Sequence, residues 1–389
     1  MTMNDETLFD CSMINVCAFG ADNSGICDSS DAFARAVDAA KKQQKTLYVP
    51  TGMYTVSKTI RIPSDFRLYA DPTALIRLDG NRKKRRGDFL LSNDDPEHGN
   101  VNIHITGGVW DGNNQGIGNA KPDIFDKNGY SGAVLNFVGV KGLYLSDFTV
   151  ANSVTYYIRM ARLENFIIKN ISFVSDEFGH NQDGLHFGGA VRHGVVRNIR
   201  ALSCGQTNDD LIALNADDSI ERVENLDLVR DGIEDLLIEN LFAENCHTII
   251  RLLSVTAPIR NIVIRNVYGG YRGYAINLDA ARYCKTPLFK EEDIPNGCGV
   301  IENVCIEHMI CRPMTDTGRP AVCMESCVED FSIRDFKLLN DEYTVPALVA
   351  KNLVSSELIT DADSVILNKK SDKAEIALFR ELIVRSAHS

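Results

Sequence analysis

Positive charge is under-represented in this sequence: 41 Lys and Arg stand against 53 Asp and Glu, a formal net charge of −12. That balance argues against nucleic acid or an anionic membrane as the main partner, and it repels an acidic polymer unless a local basic site receives it. Long apolar runs are missing too. No stretch approaches the roughly 18 uninterrupted apolar residues of a membrane span, so no membrane partner is predicted. Residues 1–7 lack a positive segment followed by an apolar core; they do not read as a secretory signal, and the predicted location is cytoplasmic. No segment rich in Pro, Gly and Ser divides the chain, which predicts one domain over residues 1–389. The eleven cysteines are odd in number and scattered from Cys11 to Cys327, a pattern of free thiols rather than of a disulfide framework. Cys305, Cys311, Cys323 and Cys327 could be drawn as a zinc cluster. Ile306, Ile310, Val322 and Val328 beside them read as strand positions, so buried thiols are predicted, with no metal and no cofactor. Tryptophan occurs once, at Trp110, and a lone Trp more often fills a core or a bend than forms a ligand platform.

What the sequence has instead is a loose repeat of short apolar strands, each followed by Asn, Asp, Gly or a small residue. Copies stand at 101–105, 140–145, 165–171, 194–199, 236–241, 261–267, 304–307 and 331–335, with centres 24 to 43 residues apart. Alternation within each copy gives one buried face, and the longer intervals read as loops inserted between coils of a solenoid. With 44% hydrophobic residues such a chain can bury a large core. Ahead of the repeats, Ser30 and Asp31 offer N-caps to a helix over 32–42, with Phe33, Ala36, Val37 and Ala40 on one side. A solenoid end exposes apolar surface that such a helix can cover. The fold class is therefore all-β, a parallel solenoid with an N-terminal cap at about 16–55, coils at about 56–365 and a C-terminal helix at about 372–385.

Two acidic clusters interrupt the repeat: Asn181-Gln182-Asp183-Gly184-Leu185-His186 and Thr207-Asn208-Asp209-Asp210. Asp183 and Asp209 are 26 residues apart, about one coil. Neighbouring coils stack roughly 4.8 Å apart, so three carboxylates would share one small patch. Crowded carboxylates cannot all ionise freely, which separates an acid from a base. The alternative is that Asp-Gly and Asn-Asp only mark turns. Asp217, Asp218 and Glu221 suggest calcium by composition, but the EF-hand spacing is absent. The basic run 82–86 reads as a solvated loop rather than a polyanion site.

Taken in order, Val16-Cys17-Ala18-Phe19-Gly20-Ala21-Asp22, Asp28-Ser29-Ser30-Asp31-Ala32-Phe33, Tyr48-Val49-Pro50-Thr51-Gly52, Ile105-Thr106-Gly107-Gly108-Val109-Trp110-Asp111-Gly112 and Ala151-Asn152-Ser153 carry a resemblance. The sequence resembles the pectin-lyase-like right-handed parallel β-helix superfamily and, within it, the polygalacturonase-type glycoside hydrolases, over roughly residues 16 to 310. The resemblance implies a catalytic pattern of Asn-Thr-Asp-Gly, Gly-Asp-Asp, Gly-His-Gly and Arg-Ile-Lys. Asn181-Gln182-Asp183-Gly184 and Asn208-Asp209-Asp210 fit the first two. It implies Asp209 as the general acid and Asp183 and Asp210 as the groups that hold and deprotonate water.

The third element is reduced to Cys246-His247-Thr248, and the fourth aligns with Ala275-Ile276-Asn277, which lacks both cations. Losing an Arg fork and an ammonium removes the grip on a substrate carboxylate. The resemblance therefore implies an inverting glycoside hydrolase acting on an oligosaccharide other than polygalacturonate. Predicted substrate contacts are His186, His247, Arg251 and Asn277. Arg251 would restore a positive charge from an adjacent coil unless it pairs with a carboxylate such as Glu244, and His186 and His247 could instead be ordinary strand-end histidines. Two other readings stay open: a β-helix glycan lyase, fructotransferase or epimerase, and a non-catalytic carbohydrate-binding solenoid. A homo-oligomer is compatible with all three.

Overall fold

The computed structural model describes residues 13–80, 87–117, 130–218, 222–280, 299–350, 356–361 and 364–369. The helix predicted at 372–385, the basic run 82–86 and Glu221 lie outside the described residues. The rest is a right-handed parallel β-helix. Long strand segments, Leu135–Ala151, Ile158–Val174, Val191–Ala201, Ile233–Leu253, Ile259–Asp279, Ile301–Pro313 and Val328–Leu338, stack in parallel.

The predicted repeats fall into one register. Phe166, Gly194, Leu236, Ile262, Val304 and Phe331 are successive partners down a single column. A second column, Leu135, Ile158, Leu185, Ile212, Ile250, Ile276, Val322 and Leu348, runs down the sheet that carries the acidic clusters. Both columns point into one continuous apolar core. Each such side chain contributes roughly 1.5–3 kcal/mol by leaving water.

The turns explain the polar residues that punctuate the repeat. Asp147, Asn170, Asn198, Asn240 and Asn266 all adopt left-handed backbone, with φ between 56° and 61°. Asn and Asp tolerate this conformation better than other non-glycine residues. Their side chains form a ladder, each amide donating to the previous coil: Asn170 to Asp147 (2.7 Å), Asn198 to Asn170 (2.7 Å), Asn240 to Asn198 (2.9 Å) and Asn266 to Asn240 (2.9 Å).

Both ends depart from the predicted boundaries. Coil stacking begins at Ile14, which pairs with Leu47, and Leu47 with Leu68, well before residue 56. The helix Ser30–Gln43 is inserted between coil strands and buries Phe33, Ala36, Val37 and Ala40. It starts ahead of the predicted caps because Asp28 accepts the Ser30 N–H (3.0 Å) and the Ser29 hydroxyl is held at the Asp22 N–H. At the other end, among the described residues, the last parallel strand is Leu348–Ala350. Strands Ser356–Asp361 and Ser364–Lys369 form a hairpin whose second strand pairs antiparallel with Val328–Leu338 and occupies its open edge. Trp110 is fully buried and donates to Gly107 O (3.1 Å), a core filler. Cys311 and Cys323 are buried strand thiols, while Cys305 and Cys327 are half-buried.

Candidate active site

The second column fixes the site. Its outward neighbours are Asn136, Arg159, His186, Ala213, Arg251, Asn277 and Cys323, one per coil. Stepping back from the Leu185–Ile212 pair sets Gly184 beside Leu211 and Asp183 beside Asp210, and the Gly184 N–H donates to Asp210 O (2.9 Å). Gly184 is required by close approach rather than by turn geometry: a Cβ there would lie 2.6 Å from Leu211 O. The preceding loop is tied by Gln182, whose side chain donates to Ser153 O (2.7 Å) and accepts from the Gly179 N–H (2.8 Å). The Asp-Gly and Asn-Asp pairs thus align carboxylates across neighbouring coils.

Asp183 and Asp210 are buried, with side chains 4% and 3% exposed, whereas Asp209 is 27% and His247 38% exposed. A ligand therefore reaches the cluster from the Asp209–His247 side. Nδ1 of His247 lies 3.6 Å from Asp209 Oδ1, and the ring sits over Gly273, where a Cβ would come within 3.0 Å of it. Burial, reinforced by the charge of Asp209, raises Asp183 to about 6 and carries Asp210 well above the ordinary carboxylate range. Both buried carboxyls thus hold a proton more readily than an exposed carboxylate does. Oδ2 of Asp210 is 3.5 Å from Arg251 Nη1 yet receives no hydrogen bond. Asp209, Asp210 and His247 also offer ligand atoms within 4.8 Å of one another, the one such group among the described residues. The Arg251 cation on Asp210 competes there with any metal ion.

Two predicted substrate contacts are engaged inside the protein. His186 is 1% exposed: Nδ1 is 2.5 Å from Asp183 Oδ2 and Nε2 is 2.6 Å from Asp218 Oδ2, so neither nitrogen is presented to a ligand. Arg251 pairs with Asp279 (2.8 Å) and Asp210 rather than with Glu244. Asn277, the next outward residue in its column, is 9% exposed.

Sequence reasoning missed the roles of four residues. Asp218 and Asn225 belong to the segment after Asn215, which folds back over the outward face of the sheet: Leu228 packs on Val138 and Ala161, and Arg159 donates to Leu226 O (3.0 Å). Tyr156 stacks on His186, ring centroids 3.9 Å apart, and its hydroxyl donates to Asn225 Oδ1 (2.5 Å). Arg272 donates to Asn208 Oδ1 (2.7 Å) and Gly205 O (3.1 Å) and lies over the exposed Phe178. Asp217, considered above for calcium, instead accepts three backbone N–H groups, from Val255, Thr256 and Ala257, each at 2.7 Å. Its neighbour Asp218 carries an acidity no calcium reading anticipates, since the spacing alone does not say which carboxylate meets a histidine.

Comparison with known proteins settles the lineage. Residues 13–272 match the model of the family described as rhamnogalacturonase A/epimerase, pectate lyase-like. The chain belongs to that family. Among solved structures, this family member is similar to an exopolygalacturonase of Thermotoga maritima, with a TM-score of 0.57 at 16% identity over 94% of this chain and 96% of that one. It is similar to the surface adhesin PfbA of Streptococcus pneumoniae, TM-score 0.57 at 13% identity, covering 84% and 85%. At these identities the likeness is one of fold. A preneck appendage protein of Bacillus phage PZA is 30% identical over 105 residues, 27% of this chain and 12% of the phage protein. The match thus spans about an eighth of that relative.

Proposed function

We propose that this protein is an inverting glycoside hydrolase whose substrate is an oligosaccharide other than polygalacturonate. The observation that carries the reading is the asymmetric carboxylate cluster: two buried groups with raised pKa, Asp183 and Asp210, beside one accessible group, Asp209, paired with His247. Inverting hydrolysis needs one carboxyl that gives a proton and another that takes one from water. In its protonated form Asp209, on the accessible side, gives its proton to the leaving oxygen as the glycosidic C–O bond breaks. A water oxygen bonds to the anomeric carbon from the other face, and its proton passes to Asp183. Asp210, buried beside Asp183 with its own acidity also weakened by burial, holds that water in place.

The substrate reading rests on the positions where a carboxylate clamp is implied by resemblance. Ala275 is buried and Asn277 nearly so, and Arg251 is committed to Asp279 and Asp210. The half-buried Arg272 is the cation closest in role, but its guanidinium is spent on Asn208 and Gly205.

Asp209→Asn tests the assignment. Proton donation contributes about 10²–10⁴ in rate, so turnover of a glycan with a poor leaving group should fall by that factor while an activated aryl glycoside suffers less; equal losses on both would remove Asp209 from the acid role. Digestion of trigalacturonate beside a panel of neutral oligosaccharides tests the substrate class, and brisk cleavage of trigalacturonate would overturn it. A second reading, a non-catalytic glycan-binding solenoid, is favoured by the phage appendage and adhesin relatives. It requires Asp209→Asn to leave glycan affinity intact in a protein without turnover.

A further inference from the structure

His186 is buried and in contact with Asp183, one of the proposed reacting groups. Its two ring nitrogens each face a carboxylate oxygen, Asp183 Oδ2 at 2.5 Å and Asp218 Oδ2 at 2.6 Å. An ionised carboxylate only accepts hydrogen bonds, so both contacts are satisfied together when both nitrogens carry protons, as in imidazolium. The ring has little freedom to do otherwise. Tyr156 stacks on its face with an 18° interplanar angle, and the Tyr156 hydroxyl donates to Asn225 Oδ1 while Asn225 Nδ2 donates to Asp218 Oδ1 (2.9 Å). Every member is buried.

We propose that the Asp218–His186 pair is a positioning relay: it holds Asp183 as an oriented, ionised carboxylate beside Asp210, and so makes the inserted segment after Asn215 part of the catalytic apparatus. The inference rests on the hydrolase reading above. Asp218 and His186 do not contact the substrate; they act through Asp183.

The electrostatic surroundings agree with this assignment. From the preceding coil His186 faces Arg159; from the following coils it faces Ala213 and, beyond it, Arg251; from its own coil Asp183; from the insertion Asp218, itself influenced by Arg222; and Asp210 stands beside Asp183. Burial opposes charge on the ring, but the Asp218 carboxylate and the hydrogen bond to Asp183 outweigh it, raising His186 to about 9. Asp218 is held below its ordinary value: burial would raise it, and the His186 charge more than reverses this. Without Asp218 the ring would keep one carboxylate partner, and the proton shared with Asp183 would be free to settle on Asp183. A protonated Asp183 cannot take a proton from water.

The experiment uses full-length protein labelled with [15N]histidine and needs no substrate for its first arm. In the wild type the His186 ring should remain doubly protonated through neutral pH, titrating near 9; in Asp218→Asn it should titrate at least one unit lower. Tyr156→Phe, which keeps the stacking ring and removes only the hydroxyl on Asn225, should shift it in the same direction by less, and keeps the test decisive if Asp218→Asn folds poorly. The second arm follows turnover of the best panel glycan against pH. Asp218→Asn should lower kcat by roughly a hundredfold, within the range of acid–base contributions, with KM changed less than about twofold and the acid limb of the profile moved to higher pH. A neutral His186 ring at pH 7 in the wild type, a ring titration unaltered in Asp218→Asn, or a pH profile that keeps its shape while only amplitude falls would each overturn the relay. A wild type that turns over no glycan would sink the hydrolase reading instead, and the ring titration would still decide whether the Asp218–His186 pair holds its charge.

Discussion

At the scale of single residues, the same physical demand recurs at every turn: a backbone in the left-handed region and a side chain that can bond to its counterparts on neighbouring coils. Asn198 meets both demands, at φ 56°, donating to Asn170 and accepting from Asn240. Alanine at this position would keep the strained backbone, costing about 1–2 kcal/mol for a residue with a Cβ, and would delete two rungs of the ladder. The rungs are exposed, so each is worth nearer 0.5 than 1.5 kcal/mol. Asn198→Ala should therefore lower stability by about 2 kcal/mol in urea unfolding, and Asn198→Gly by less, because glycine relieves the backbone cost. Equal losses for the two variants would show that the ladder and not the backbone sets the preference.

At the scale of elements, the insertion after Asn215 departs most from a plain coil, and Asp217 fixes its start. One carboxylate oxygen accepts three consecutive backbone N–H groups, of Val255, Thr256 and Ala257, and the other accepts the Thr256 hydroxyl (2.9 Å). Asp217→Ala would strand buried donors at about 1–3 kcal/mol apiece; partial rehydration of Thr256 tempers the total, and a loss of about 3–5 kcal/mol in chemical unfolding is expected, against well under half that for Asp217→Asn, which keeps an acceptor. This element also marks the limit of what the sequence discloses. The alignment of Asp183 with Asp210 and the column from Phe166 to Phe331 were legible, because each coil repeats a strand with the same alternation whatever the length of the loop between coils, and a one-residue slip would turn every core side chain outward. The His186–Asp218 contact spans 32 residues through a loop with no periodicity, so neither spacing nor alternation points to it. Arg251 was misjudged for a related reason: its partners, Asp210 and Asp279, are one coil away on either side, and a charge viewed in one strand looks available when its neighbours in the stack already hold it.

At the scale of the whole molecule, these local arrangements combine into a pH dependence with a definite sign. His186 has its folded pKa raised to about 9 from 6.5, so the stability it contributes is fully present below about 6.5 and is lost as pH rises through about 9. Asp183, raised to about 6, and Asp210, also raised by burial, act in the same sense: folding favours their protonated forms, and their contribution fades as pH climbs past 4 and through the raised values. The opposing groups titrate much lower. Burial would raise Asp28, but hydrogen bonds from Ser30 and Ser57 hold it at about 2, so its contribution is present above about 4 and is lost only as pH falls toward 2. Global charge pulls the same way as the active-site cluster, since the net −12 at pH 7 shrinks toward the isoelectric point near 5.2 and self-repulsion shrinks with it. The melting temperature should therefore peak on the acid side of neutrality, between about pH 4 and 6, and decline continuously to pH 9.5. The His186 share of that decline is on the order of a few kcal/mol, given its rise from 6.5 to about 9. Thermal unfolding of the wild type and of His186→Gln, measured at matched ionic strength and low protein concentration, separates the local contribution from the global one: the variant should be less stable at pH 6 yet lose less between pH 6.5 and 9.5. A wild-type profile that is flat from pH 5 to 9, or a variant with an unchanged alkaline slope, would show that His186 carries no charge in the folded protein.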